Sequence, residues 1–190
     1  MLEQDIEKKV LSEQEIQAII QSLSVEITKD YKDKYPLLVG LLNGCVPFMS
    51  DFIKTLDFHL EIGFMNVSSY FGGVESHVDI KIEKDLDVSV KGRDILIVED
   101  IIDSGRTLKT VSDLLTHRGA RTVEVVTLLD KPTGREVSYK PKYKGKTIPG
   151  LFVVGYGLDY QERYRNLPYV GVLKPKIYNN EDLQKTQNSN

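Results

Sequence analysis

Residues 98–107 read VEDIIDSGRT, so three carboxylates, Glu99, Asp100 and Asp103, follow directly on the apolar run ILIV at 95–98. Ser104, Gly105, Arg106 and Thr107 come next. DSGRT offers successive backbone N–H groups, a glycine that lets a ligand approach the chain, and two hydroxyls where a helix would begin. Together these make a cradle for phosphate. Carboxylates beside an anion held in this way can bind hydroxyls, a metal ion or a proton. A plainer assignment has Asp103 or Ser104 capping the helix while Glu99 and Asp100 face water. The chemical reading needs both halves of the stretch, and it needs them at the open end of a strand.

The chain around this stretch supports such a placement. Its 190 residues suit one domain with a proper core, and 41% hydrophobic with 28% charged residues is ordinary for a globular protein. A net charge of −3 supplies no basic field for nucleic acid. MLEQDIEKK lacks the apolar segment of a secretory signal and no run approaches a membrane span, which predicts a cytoplasmic protein. Cys45 is the single cysteine, and His59, His77 and His117 are scattered, so neither an intrachain disulfide nor a histidine metal site is expected.

SEQE at 12–15 has the form of a capping box before a helix with Ile16, Ile19, Ile20, Leu23 and Ile27 on one face. PLLVGLLNG (36–44) reads as a buried strand and a glycine turn, with a helix over Val46, Met49, Phe52, Ile53 and Leu56 after it. LEIGFMNV (60–67) and VDIKI (78–82) are strand-like, and the polar, glycine-containing SSYFGGVESH between them predicts a hairpin with a mobile tip. DILIV, a helix over Leu108, Val111, Leu114 and Leu115 ending near Gly119, TVEVVTLL, a mixed stretch and LFVVG complete the alternation. This order predicts an α/β fold, a mostly parallel sheet with helices on both faces, whose ligands bind beyond the carboxyl ends of the strands. The polar NNEDLQKTQNSN at the end is expected to fray.

Common nucleotide motifs are missing: there is no Walker A pattern, and GYGLDY has Tyr160 at the third glycine position of a dinucleotide loop. The strand followed by EDIIDSGRT instead resembles the phosphoribosyl-pyrophosphate (PRPP) motif of the type I phosphoribosyltransferases. Beyond that motif, LLNG (41–44), VSSY (67–70), LLDKP (128–132) and FVVGYGLDYQERYRNLPY (152–169) are similar, in the same order, to the hypoxanthine-guanine branch of that family. The resemblance implies the type I phosphoribosyltransferase fold, a single domain over 1–178 with a small hood from parts of both ends and a flexible hairpin loop, and a tail at 179–190. It implies purine salvage, in which hypoxanthine or guanine and PRPP give IMP or GMP and pyrophosphate, with Mg²⁺ as cofactor. It also implies a homodimer or homotetramer with no nucleic-acid or membrane partner.

By the same resemblance, Asp103 is the general base toward N7 of the purine, Glu99 and Asp100 engage the ribose and help hold Mg²⁺, and Ser104, Gly105, Arg106 and Thr107 grip the 5′-phosphate. Lys131 looks like the donor to the purine O6, Phe152 like the ring that stacks on the base, and the Val153 backbone like the partner of its Watson–Crick edge. Without the resemblance, Lys131 passes for a loop residue and LFVV for core. Asp159 is similar to a Mg²⁺ ligand beside the purine and Arg165 to a pyrophosphate-binding residue. Asn43 and Gly44 fall in the pyrophosphate loop, where many relatives carry Lys-Gly, often with a cis peptide, so Asn43 departs from the pattern. Ser69 and Tyr70 match the Ser-Tyr pair of a loop that closes over the reacting centre. Two other readings stay open: an enzyme of this fold preferring xanthine or another base, and a PRPP- or nucleotide-sensing RNA-binding regulator, which the acidic balance disfavours.

Overall fold

Leu37–Leu42 (β2) is buried along almost its whole length, and so is Asp94–Ile102 (β5). Strands covered on both faces belong in the middle of a parallel sheet. The computed structural model describes residues 2–70 and 79–178 and places them there. β2 pairs in parallel with both Glu61–Tyr70 (β3) and β5. β5 pairs in parallel with Thr122–Asp130 (β6), which in turn pairs with Tyr143–Thr147 (β7). Asp79–Lys84 (β4) closes the other edge, antiparallel to β3, giving the order β4-β3-β2-β5-β6-β7.

Successive strand side chains point to opposite faces, and each face is packed by helices. Glu13–Tyr31 (α1) and Val46–Ile53 (α2) cover Leu38, Leu96, Val98, Val126 and Leu128. Arg106–His117 (α3) covers the other side through Leu108, Val111 and Leu115, against Leu37, Val39, Ile95, Ile97 and Val125. The capping box of α1 forms as its sequence predicts: the Glu15 N–H donates to Ser12 Oγ at 3.3 Å, and the Ser12 N–H donates to the Glu15 carboxylate at 2.8 Å. Ile16, Ile20, Leu23 and Ile27 are buried beneath it, each worth about 1.5–3 kcal/mol of transfer free energy.

A second sheet joins two stretches not read as strands to part of LFVVG. Ile6–Leu11 (β1) pairs antiparallel with Val170–Leu173 (β9), which also pairs with Val153–Val154 (β8). LFVVG therefore contributes only two residues to a strand, and not to the parallel sheet. The edge expected for it is taken by β7, whose YKGKT buries only Tyr143 and so reads as a mixed stretch. Two boundaries also shift. β5 runs four residues past DILIV because its ladder with β6 continues to the pair Ile102–Asp130, so Glu99 to Ile102 are strand rather than turn. α2 stops at Ile53, and Leu56 is buried from the turn that follows. Of SSYFGGVESH (68–77), expected to carry a mobile tip, Ser68 to Tyr70 belong to β3, and 71–77, like the tail at 179–190, lie outside the described residues. Among the described residues, no helix is long and apolar enough to cross a membrane.

Candidate active site

The carboxyl ends of β2 and β5 bring many of the sequence-predicted residues to two adjoining clefts. One, of about 270 Å³, is lined by Leu41, Leu42, Asn43, Gly44, Val67, Glu99, Asp100, Thr107, Asp159 and Arg165. The other, of about 150 Å³, is lined by Glu99, Ile101, Ile102, Asp103, Ser104, Gly105, Thr107 and Leu108. Glu99 and Thr107 border both, so the clefts are halves of one groove over the strand-to-helix junction.

The second half has the form that could hold an anion. Gly105 adopts φ +79°, a left-handed conformation that suits glycine, and it brings no side chain to cap α3. The first N–H groups of a helix have no intrahelical partner. Of these, that of Arg106 donates to Ser104 Oγ at 3.3 Å. The Ser104 carbonyl accepts from Glu136 and Val137 at 3.0 and 3.4 Å. The Arg106 side chain turns aside, its Nε donating to Glu136 at 2.5 Å. The Arg106 guanidinium is thus held by Glu136, outside the row of backbone N–H groups.

The first half is acidic. Glu99 and Asp100 sit one residue apart on β5, and no cation pairs with Asp100 among the described residues. Burial pushes the Asp100 carboxyl up to about 6, although the Ile101 N–H donates to it at 2.8 Å. Burial, with the charge of Asp100 added, holds the Glu99 carboxyl well above the usual carboxylate range, and one Glu99 oxygen is buried without a partner among the described residues. Gly44 is pressed against the Asp100 carboxylate so closely that a Cβ there would overlap it. The Leu42–Asn43 peptide before it is cis, and Asn43 is exposed. Across the cleft, Asp159 pairs with Arg165 at 2.9 Å, and Arg165 also donates to the Gly157 carbonyl at 2.7 Å. Among the described residues no three His, Cys, Asp or Glu side chains converge as a ready-made metal cage. The donors present are hard carboxylate oxygens, one unpartnered and buried, which suits Mg²⁺ held by one or two carboxylates together with water and phosphate oxygens.

Asp103 begins the turn after β5 and Lys131 follows β6, and the two side chains form an ion pair. Gly134, in the short 3-10 turn Pro132–Gly134, presses on the same carboxylate, where a Cβ would overlap it. Phe152 and Val153 line neither cleft. Val153 is buried in β8, while Phe152 is 44% exposed and meets Tyr160 edge-on at 5.7 Å and Tyr178 at 5.3 Å between ring centroids. Ser69 and Tyr70 end β3. Sequence reasoning missed Gly134, Arg135, Glu136 and Tyr178. Only the glycine carried a signal, as the third residue of a Pro-Thr-Gly turn.

Comparison with known proteins bears on the family and the fold. The model of the phosphoribosyl transferase domain family matches residues 7–161. The chain is 59% identical over 178 residues to the hypoxanthine-guanine phosphoribosyltransferase of Lactococcus lactis subsp. lactis, covering 94% of this chain and 97% of that protein. The crystal structure of a hypoxanthine phosphoribosyltransferase from Staphylococcus aureus superposes with a TM-score of 0.89 at 51% identity, covering 93% and 96% of the two chains. That of the hypoxanthine phosphoribosyltransferase from Trypanosoma cruzi, a mutant form complexed with the product IMP, gives 0.87 at 33% identity over 93% and 96%. A junction that pairs an anion cradle with buried carboxylates and an Asp–Lys couple is therefore carried on a known framework: the chain has the type I phosphoribosyltransferase fold and belongs to the phosphoribosyltransferase family, among the transferases named hypoxanthine-guanine phosphoribosyltransferase.

Proposed function

We propose that the chain transfers the 5-phosphoribosyl group of PRPP to N9 of hypoxanthine or guanine, giving IMP or GMP and pyrophosphate, with Mg²⁺, in purine salvage in the cytoplasm. The observation that carries this reading is the Asp103–Lys131 couple beside the anion cradle. O6 and N7 lie side by side on the edge of a 6-oxopurine. An ammonium next to a carboxylate offers a donor for O6 and an acceptor for the N7 proton. Adenine presents an amino donor at that place, which leaves Lys131 without an acceptor.

The remaining groups follow the charge that develops during transfer. N9 bonds to the anomeric carbon as its bond to the pyrophosphate oxygen breaks, the electron pair leaves with pyrophosphate, and the N7 proton passes to Asp103. The ribosyl ring is cationic along this path. Glu99 and Asp100, buried and without cations of their own, face that ring and its hydroxyls. The backbone from Asp103 to Thr107 holds the 5′-phosphate, and Arg165 with the loop at Asn43 and Gly44 faces the pyrophosphate. Mg²⁺, when bound by Glu99, Asp100 or Asp159 and substrate oxygens, offsets the charge of the leaving group. Phe152 and the Val153 backbone take the base, Ser69 and Tyr70 belong to a closing loop, and the working unit is a homodimer or homotetramer.

The test is PRPP-dependent turnover across hypoxanthine, guanine, xanthine, adenine and uracil, with and without a chelator. Hypoxanthine and guanine should turn over, adenine and uracil should not, and the chelator should abolish activity until Mg²⁺ is restored. Preference for xanthine or uracil, or PRPP binding without any turnover, would overturn the assignment. Lys131→Ala should lose most 6-oxopurine activity and so narrow the gap to adenine. An unchanged hypoxanthine-to-adenine ratio would move base choice away from Lys131.

A further inference from the structure

Residues 131–137 leave the end of β6 and close over the start of α3. Asp103 pairs with Lys131, Arg106 pairs with Glu136, and the N–H groups of Glu136 and Val137 both hold the Ser104 carbonyl. These bonds turn the Ser104 carbonyl into the loop and away from the cradle, where an oxygen would repel a phosphate. At the centre of the loop Arg135 is largely buried and ion-paired with Asp130, the last residue of β6. Its Nη1 is buried and has no partner among the described residues. A Cβ built on Gly105 would stand 3.1 Å from Arg135 Cδ and 3.2 Å from Nη1, so the guanidinium lies directly behind the residue that opens α3.

Resting on the reading of this cradle as the 5′-phosphate site, we infer that Arg135 is a positioning residue for that phosphate. It does not touch the ligand. Its bond to Asp130 anchors the loop to the sheet, so the loop can hold the Ser104 carbonyl aside. Its Nη1 edge, without a hydrogen-bond partner among the described residues, stands against Gly105 and backs the residue that opens α3.

The experiment uses two variants and two ligands. Arg135→Met combined with Asp130→Asn removes both charges while keeping the packing, so no buried carboxylate is stranded. Thermal unfolding establishes that it is folded. Expected are a rise of about tenfold in KM for PRPP, equivalent to about 1.4 kcal/mol, and a similar rise in Kd for ribose 5-phosphate measured without any base, with KM for hypoxanthine unchanged. Arg135→Lys, which keeps a cation for Asp130, should fold and show a smaller rise in the same two constants. Wild-type PRPP and ribose 5-phosphate constants in either folded variant would overturn the inference, and so would equal losses toward both substrates. If instead the wild-type protein binds ribose 5-phosphate but transfers nothing to a purine, the proposed function fails while the role of Arg135 in anion binding stands or falls on its own Kd.

Discussion

β5 carries a buried carboxylate at each end, and the two are treated in opposite ways. At its start, Asp94 is 2% exposed and receives Arg121 Nε at 2.9 Å, Arg121 Nη2 at 2.5 Å and Thr122 Oγ1 at 2.8 Å. The hydrogen bonds from Arg121 outweigh burial and hold its carboxyl below the usual range. At its far end, Asp100 is 8% exposed and has a backbone N–H but no paired cation, and its carboxyl is raised. The same residue type, on the same strand and similarly hidden, is neutralised by an arginine at one end and has no paired cation at the other. An unpaired buried charge weakens the folded state, which is the pattern expected at the end of a strand that binds.

The largest effect should come from the residue just past the uncompensated end. Asp103→Asn is expected to keep PRPP binding and lower turnover by ~10²–10⁴-fold, the range for loss of a general base. Near-normal turnover in the variant would make Asp103 a partner of Lys131 and no more. The two ends should then part in stability. Asp100→Asn is expected to stabilise the metal-free protein at neutral pH, by up to about 3 kcal/mol from the displacement of its carboxyl to about 6, while impairing transfer. Asp94→Asn should cost about 1–3 kcal/mol and leave transfer intact. Urea unfolding alongside turnover measures both, and the comparison breaks if the two substitutions move stability in the same direction.

Acid sharpens the contrast further. Asp100 has a folded value above its unfolded one, so its penalty is complete at neutral pH and lifts as pH falls through about 6 toward 4. Asp94 is lowered in the fold, so its contribution is present above the ordinary carboxyl value and is lost only as pH falls through the lowered one. The stability gap between wild type and Asp100→Asn should therefore close between pH 7 and 4, whereas that between wild type and Asp94→Asn should persist to lower pH. The smallest effect lies away from both ends: Ser12→Ala should cost about 1 kcal/mol through the lost cap of α1 and leave the kinetics alone, as a melting curve and an activity assay would show.

What can be read in advance divides along similar lines. α1, β2, β6 and the PRPP-like stretch announce themselves because each is local: a capping box, a doubly buried run, a glycine between a carboxylate and a helix. Glu99 and Asp100 are legible as chemistry but not as strand, since carboxylates look like a strand's end even while the ladder to β6 continues. Contacts across sequence are silent. Nothing in LLDKP shows that Lys131 meets Asp103, and nothing in GRE shows that Arg135 turns back to Asp130 and lies behind Gly105. β1 escapes the pattern because IEKKVL buries only its two ends and its partner is at the opposite end of the chain.

That last pairing bears on the order in which the molecule is made. Ile6 sits opposite Leu173 and Leu11 opposite Val170, so β1 leaves a ribosome long before the strand it pairs with. The parallel sheet has no such delay, because its strands up to β7 are complete by Thr147 and each lies beside a strand already synthesised. A nascent chain can therefore assemble the junction that carries the cradle while β1 is still a loose, unpaired edge, a segment open to wrong partners until β9 arrives. β8, with Phe152 just ahead of it, is held by that late strand, so a chain stalled before Val170 would carry the β5–α3 junction without the strand that fixes Val153 and Val154.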